Sequence, residues 1–243
     1  MPACNLLAIE TSTERLSLAI LRGDRMFVRE VDAGQRHSDL ALPLMYELLD
    51  EAQTTLSDLD VIAFGQGPGS FTGVRIACGL TQGLAFGADK RVLPVPTQMA
   101  LAEQCGAGKA IVALDARMGE IYFAAYEHSD DATGWTAVVA PMLVKPDALP
   151  AFQGNGWRGI GSGFDVPALA GSLADRYAAQ IDHIVILALP SARDVATIAA
   201  RQVARRGIES ALAPEHAAPL YLRNKVAMTI AERAAHQLKK AAA

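Results

Sequence analysis

The chain is 243 residues long, 51% apolar and 20% charged, with a formal net charge of −4 at pH 7. This is the composition of an ordinary globular protein, and the slight negative charge speaks against a broad basic face that grips nucleic acid unaided. Cys4, Cys78 and Cys105 show no CxxC spacing, which points to reduced thiols and a cytoplasmic setting. The opening MPACNLLAIETS lacks a basic region followed by a long apolar core, so no secretory signal is expected. No apolar run approaches the roughly 18 residues of a membrane span.

In chain order, Leu6–Ile9 and Leu16–Leu21 read as two strands around the polar turn ETSTER, and Arg25–Val31 as a third. Ser38 or Asp39 is placed to cap a helix reaching Ala52. Its apolar positions Ala41, Leu44, Met45, Leu48, Leu49 and Ala52 follow the spacing of one buried face, and Leu42 and Tyr46 extend the stripe to a second side. A two-sided apolar helix suits either deep packing or a partner.

Next comes the most informative stretch, VIAFGQGPGSFTGVR over 61–75: a strand, a glycine-rich loop, and a helix running to about Phe86. Glycine permits positive φ and close backbone approach, and proline fixes φ, so the loop holds one defined shape. It is not a Walker loop, because Gly73 is followed by Val74, Arg75 and Ile76 and not by Lys and Ser or Thr. An anion on the helix N-terminus stays open. Arg75 in the first turn opposes the helix dipole, which points either to a carboxylate or phosphate beside it or to an exposed arginine on a structural turn. Gly79, Gly83 and Gly87 then recur every fourth residue. Each costs about 1 kcal/mol relative to alanine inside a helix, so something is expected to pack very close there, either the protein's own sheet or another chain.

A repeat follows. Ala110–Leu114, the turn DARMGE and Ile121–Tyr126 lie over the N-terminal hairpin at a constant offset of 105, which sets Asp115 over Glu10 and Ile121 over Leu16. The pattern predicts two lobes of related architecture. Beyond it, Trp135–Met142 reads as a strand, Lys145–Phe152 as a short helix interrupted by Pro146 and Pro150, and Ile184–Leu189 as a strand. Ser191 or Asp194 starts a helix through Arg205. Gly154–Gly159 matches GxGxxG as a string but neither follows a strand nor opens a helix, so it is no dinucleotide fingerprint. Glu10 and Asp115 are candidate cleft carboxylates. The five histidines never fall at i, i+3 or i, i+4, so a helical metal-binding pair is absent, and no nucleophile elbow appears.

LLAIETS, FGQGPGSFTGVRIACGLTQGLAFG, ALDARMGEIYFAAY and PLYLRNKVA, in this order and spacing, resemble the TsaB (YeaZ) family of glycoprotease-like proteins. The resemblance implies two duplicated α/β lobes of the actin-like ATPase and sugar-kinase superfamily. Residues 1–105 would form the first lobe, 106–222 the second, and 223–243 a basic, frayed tail. It implies an accessory subunit without chemistry of its own. Such a subunit binds its paralogue TsaD together with the ATPase TsaE, while TsaD transfers threonylcarbamoyl to the adenosine 3′ of the tRNA anticodon. No cofactor or metal would be bound tightly by this chain, ATP would sit at the complex interface, and tRNA would be reached through the complex. The family's partner surface maps onto Leu42, Met45 and Leu49 and onto the helix of Arg75, Gly79 and Gly83, and the same surface supports homodimers when TsaD is absent. Many members have Asp where Glu10 stands, and the longer carboxylate argues against independent ATP hydrolysis. A metallopeptidase and a small-molecule kinase of the same fold are the competing readings. The first needs a metal site, and the second needs phosphate loops in both lobes.

Overall fold

The computed structural model describes residues 4–106, 108–185 and 187–223. Strands β1 (Leu6–Glu10), β2 (Arg15–Arg22) and β3 (Arg25–Asp32) form an antiparallel meander. Helix α1 (His37–Glu51) leads to β4 (Val61–Gly65), parallel to β1, and α2 (Phe71–Ala88) leads to β5 (Arg91–Val95), parallel to β4. After α3 (Thr97–Glu103), a second meander forms from β6 (Lys109–Asp115), β7 (Ile121–His128) and β8 (Trp135–Val144). Strand β9 (Trp157–Ile160) joins it parallel to β6 and is followed by α4 (Pro167–Tyr177). Strand β10 (Ile181–Val185) then pairs parallel to β9, and α5 (Ala192–Arg206) comes last.

The two sheets have the same strand order, β3-β2-β1-β4-β5 and β8-β7-β6-β9-β10. The hairpin repeat is therefore a repeat of whole lobes, a two-lobed α/β architecture. It is not a perfect copy. Glu10 pairs with Ser17 across residues 11–16, but Asp115 pairs with Ile121 across residues 116–120, one residue fewer. The second lobe also has no counterpart of α1. The helix expected over Lys145–Phe152 is only a 3₁₀ turn at Pro146–Ala148, because Pro150 cannot donate to a helical ladder. The strand expected at Ile184–Leu189 instead runs Ile181–Val185, and Leu187 takes a left-handed φ of 56° that no continuing strand adopts.

Alternate residues of the buried strands point to opposite faces of a sheet, and each sheet is covered on both. In the first lobe, Leu7, Ile9, Leu18 and Ile20 pack against α1 and α2, while Leu6, Ala8, Ala19 and Val61 pack against α5. In the second, Phe123 and Ile111 meet α4, and Val112, Ala124 and Tyr126 meet Leu101 and Ala102 of α3. The helices are thus exchanged. α3 follows the first lobe but covers the second sheet, and α5 follows the second lobe but covers the first. The strands of the two sheets fall on either side of residues 104–108, and α5 and Ala217 pack in the first-lobe cores. Of the basic tail, only Arg223 lies within the described residues.

The glycine-rich loop between β4 and α2 folds inward. A Cβ at Gly73 would stand 1.9 Å from the Thr11 carbonyl oxygen, and one at Gly69 2.6 Å from Ser12. The approach is fixed by Thr11 Oγ1 donating to the Gly73 carbonyl (2.7 Å) and by the Ser70 N–H donating to the Ser12 carbonyl (2.7 Å). These glycines are a steric requirement of β1–β2 lying directly against the start of α2. Gly73→Ala is therefore expected to cost at least the ~1–3 kcal/mol of core overpacking, read as a lower urea midpoint. An unchanged midpoint would show that the contact yields freely.

Candidate functional site: an outward helix face and a closed acidic pocket

Helix α1 seats Ala41, Met45, Leu48 and Leu49 in the core. Met45 is 1% and Leu49 4% exposed, so these two expected interface residues belong chiefly to the fold, although Leu49 also edges a groove. The reason is helical geometry: residues one position on are turned by about 100°. Leu42 and Tyr46 accordingly face away, at 39% and 56% exposure.

Helix α2 buries Val74, Ala77, Cys78, Thr81 and Ala85. Gly79, Gly83 and Gly87 lie on the opposite side, and a Cβ built on any of them meets nothing within 4 Å. The protein's own sheet is therefore not what needs them small. Phe86, 60% exposed, projects beside this bare strip of backbone. A groove of about 560 Å³ runs between the two helices, lined by Tyr46, Leu49, Gly83, Leu84 and Gly87. Exposed rings beside uncovered backbone suit close approach of another helix.

Arg75 begins the same stripe, one turn before Gly79. Its guanidinium lies 3.2 Å from the Phe71 ring centroid and 4.9 Å from that of Tyr221, and it donates to the Phe71 carbonyl (3.1 Å). The expected acidic neighbour is replaced by two aromatic faces, whose quadrupoles attract a cation.

Between the lobes lies a cleft of about 1070 Å³, lined by the β1–β2 turn, the start of α2, the 115–118 turn and residues 220–223. Asp115 lines it, and its carboxylate accepts from the Arg117 N–H (2.8 Å) and guanidinium (3.1 Å). Glu10 does not line it. It is 1% exposed, with Oε1 accepting from the Ser12 N–H (2.6 Å) and Oε2 from the Thr97 hydroxyl (3.0 Å). Gly65 makes the room, since a Cβ there would lie 1.9 Å from Oε2. The expected pair of facing carboxylates is thus not formed, because one partner is sealed under the loop. Within the loop, Ser70 Oγ accepts from the Gly73 N–H. Among the described residues no group of three or more His, Cys, Asp or Glu is placed to hold a metal ion.

Comparisons with known proteins decide the family. The family described as "TsaD: tRNA N6-adenosine threonylcarbamoyltransferase" matches residues 31–231. The tRNA threonylcarbamoyladenosine biosynthesis protein TsaB of Escherichia coli (strain K12) is 33% identical over 230 residues, covering 91% of this chain and 96% of its own. That of Haemophilus influenzae is 33% identical over 238 residues, covering 93% and 96%. The chain belongs to the TsaB family. Two Pseudomonas aeruginosa crystal structures superpose closely, each 33% identical and covering 90% of this chain and 100% of the other. One, an uncharacterized protein with similarity to peptidase YEAZ, has a TM-score of 0.80, and the other, YeaZ, has 0.78.

For a TsaB-family chain, the informative residues that sequence reasoning passed over are Phe86 and Tyr221. Phe86 was readable as i+3 from Gly83 on the bare side of the helix, whereas Tyr221 meets Phe71 and Arg75 only through the tertiary fold.

Two predictions follow from these placements. With open space above them, Gly79→Ala and Gly83→Ala are expected to stabilise the isolated monomer by up to about 1 kcal/mol each. A drop in melting temperature would mean that unseen neighbours occupy that side. Burial raises the Glu10 carboxyl above the usual range, against the lowering pull of its bonds to Ser12 and Thr97. The native state then keeps a proton that the unfolded chain releases above about pH 4.3, so stability falls as pH rises from there to the raised native value. Glu10→Gln is expected to remove this slope, at most about 1.4 kcal/mol per pH unit. Wild-type and variant urea curves that stay parallel from about pH 4 to about pH 8 would show an ionised Glu10 instead.

Proposed function

We propose that this chain is a non-catalytic partner of TsaD in the threonylcarbamoyl modification of tRNA, binding it through the Leu42–Tyr46 side of α1 and the Arg75–Gly79–Gly83 side of α2. The observation that carries this reading is the glycine stripe with open space above it. Three glycines weaken an 18-residue helix at about 1 kcal/mol each, and no described residue packs above them to offset that. A helix docked against bare backbone would. In the same reading a second copy of the chain covers this face when TsaD is absent. TsaE joins the assembled pair, tRNA is reached through the complex, and any ATP is held at the interface and not tightly by this chain. The setting is the cytoplasm. The Asp115 carboxylate, already engaged by Arg117, takes no part in chemistry.

The direct test is size-exclusion chromatography of the chain with and without TsaD, with ATP added in a second run. Co-elution is expected, and separate elution under both conditions would overturn the proposal. Gly79→Leu and Gly83→Leu place a bulky side chain in the contact, at about 1–3 kcal/mol, and are expected to weaken TsaD binding roughly 5- to 150-fold with the monomer still folded. Unchanged affinity would move the interface elsewhere. In a reconstituted complex Asp115→Ala is expected to leave the modification rate within a few-fold. A loss on the order of 10³-fold, the scale of a lost catalytic group, would make it a catalytic residue.

A further inference from the structure

The main chain crosses between the lobes twice, from α3 into β6 and from β10 into α5. Two covalent crossings beside a wide cleft ordinarily permit relative motion of the lobes. Helix α5, packed on the first sheet, also meets the second lobe through Arg201 to the Thr133 carbonyl (2.7 Å) and Arg206 to Asp131 (3.2 Å), and the segment 220–223 adds a link along the cleft itself. The Leu220 N–H donates to the Gln66 carbonyl (2.7 Å), and the Tyr221 ring stands 6.4 Å from Phe71 and within reach of Arg75, so the segment is seated on the first lobe. Arg223 then reaches the second lobe. Its guanidinium pairs with Glu120 at 2.7 Å, donates to the Ala116 carbonyl (3.0 Å) and touches Met118 Sδ (3.3 Å). Both partners of the pair are largely shielded, with side chains 16% and 22% exposed, so it is screened less than a surface pair. The turn it holds is itself strained: Arg117 and Met118, neither a glycine, take left-handed φ values of 63° and 57°.

We propose that residues 220–223 are a latch that ties the start of α2 to the 116–120 turn and fixes the opening of the cleft, so that the two lobes move as one body. The latch shares Arg75 with the side of α2 proposed above to meet TsaD. Its seat is the α2 end at Phe71 and Arg75, and its catch is the Arg223–Glu120 pair across the cleft.

The test is a distance measurement across the cleft in the full chain. Spin labels carried on unnatural residues at Gln35 and Ala168, both exposed and in different lobes, leave the native cysteines in place. The wild type is expected to give one narrow distance distribution. Arg223→Ala is expected to add a longer component and raise its population roughly ten- to hundredfold, the range for losing hydrogen bonds to a charged group. Arg223→Glu should open the cleft at least as far, and adding Glu120→Arg should narrow the distribution again. A distribution unchanged in Arg223→Ala, or one left equally broad by the charge swap, would overturn the latch. Circular dichroism of each variant separates lobe opening from loss of fold.

Discussion

The structure turns on one close contact: the backbone of Gly73 against the Thr11 carbonyl, closed by the Thr11 hydroxyl on the Gly73 carbonyl. It presses the β1–β2 turn onto the start of α2 and so fixes the direction in which an 18-residue helix leaves the sheet. Beneath it, Thr97 joins three elements. Its hydroxyl donates to Glu10 at the end of β1 and accepts from the Gly67 N–H, and its own N–H donates to the Gly67 carbonyl. Through these bonds the glycine-rich loop acts as a structural joint between the end of β1, α3 and the start of α2.

The same helix uses glycine in two opposite ways. Gly73 is small because the protein's own backbone occupies the space of a side chain, while Gly79, Gly83 and Gly87 have empty space where a side chain would go. The inner glycine is a condition of folding. The outer three lower helix stability and lie under open space among the described residues.

Duplication built the lobes, but they are not equivalent. The α1 position is empty in the second lobe, where Pro146–Ala148 makes one short turn, so a paired-helix face exists only in the first. The exchange of α3 and α5 makes each sheet depend on a helix adjoining the other lobe in sequence. Non-covalent links from Arg201 and Arg206 of α5 to residues 131–133 and from Arg223 to Glu120 tie the lobes further, which suits a subunit whose work is to present a fixed surface.

Much of this was legible in the sequence. Local geometry sufficed for the hairpins, the loop-then-helix order at 61–75 and the lobe repeat, because alternation, turn residues and a constant offset are properties of neighbours along the chain. The four-residue glycine spacing likewise marked a helix side as special. Spacing alone left open which side of a helix faces the sheet. Met45 and Leu49 carry the same apolar character as Leu42, and only the packing of α1 on β2 separates core from surface. Nor did the residue types show that Glu10 is sealed while Asp115 lines the cleft, that Arg75 rests on two rings, or that Arg223 meets Glu120. Apart from Phe71, one helical turn before Arg75, those partners lie from about fifty to about 150 positions apart or depend on burial. Distance in space is decided by how the layers stack, and that is a tertiary property.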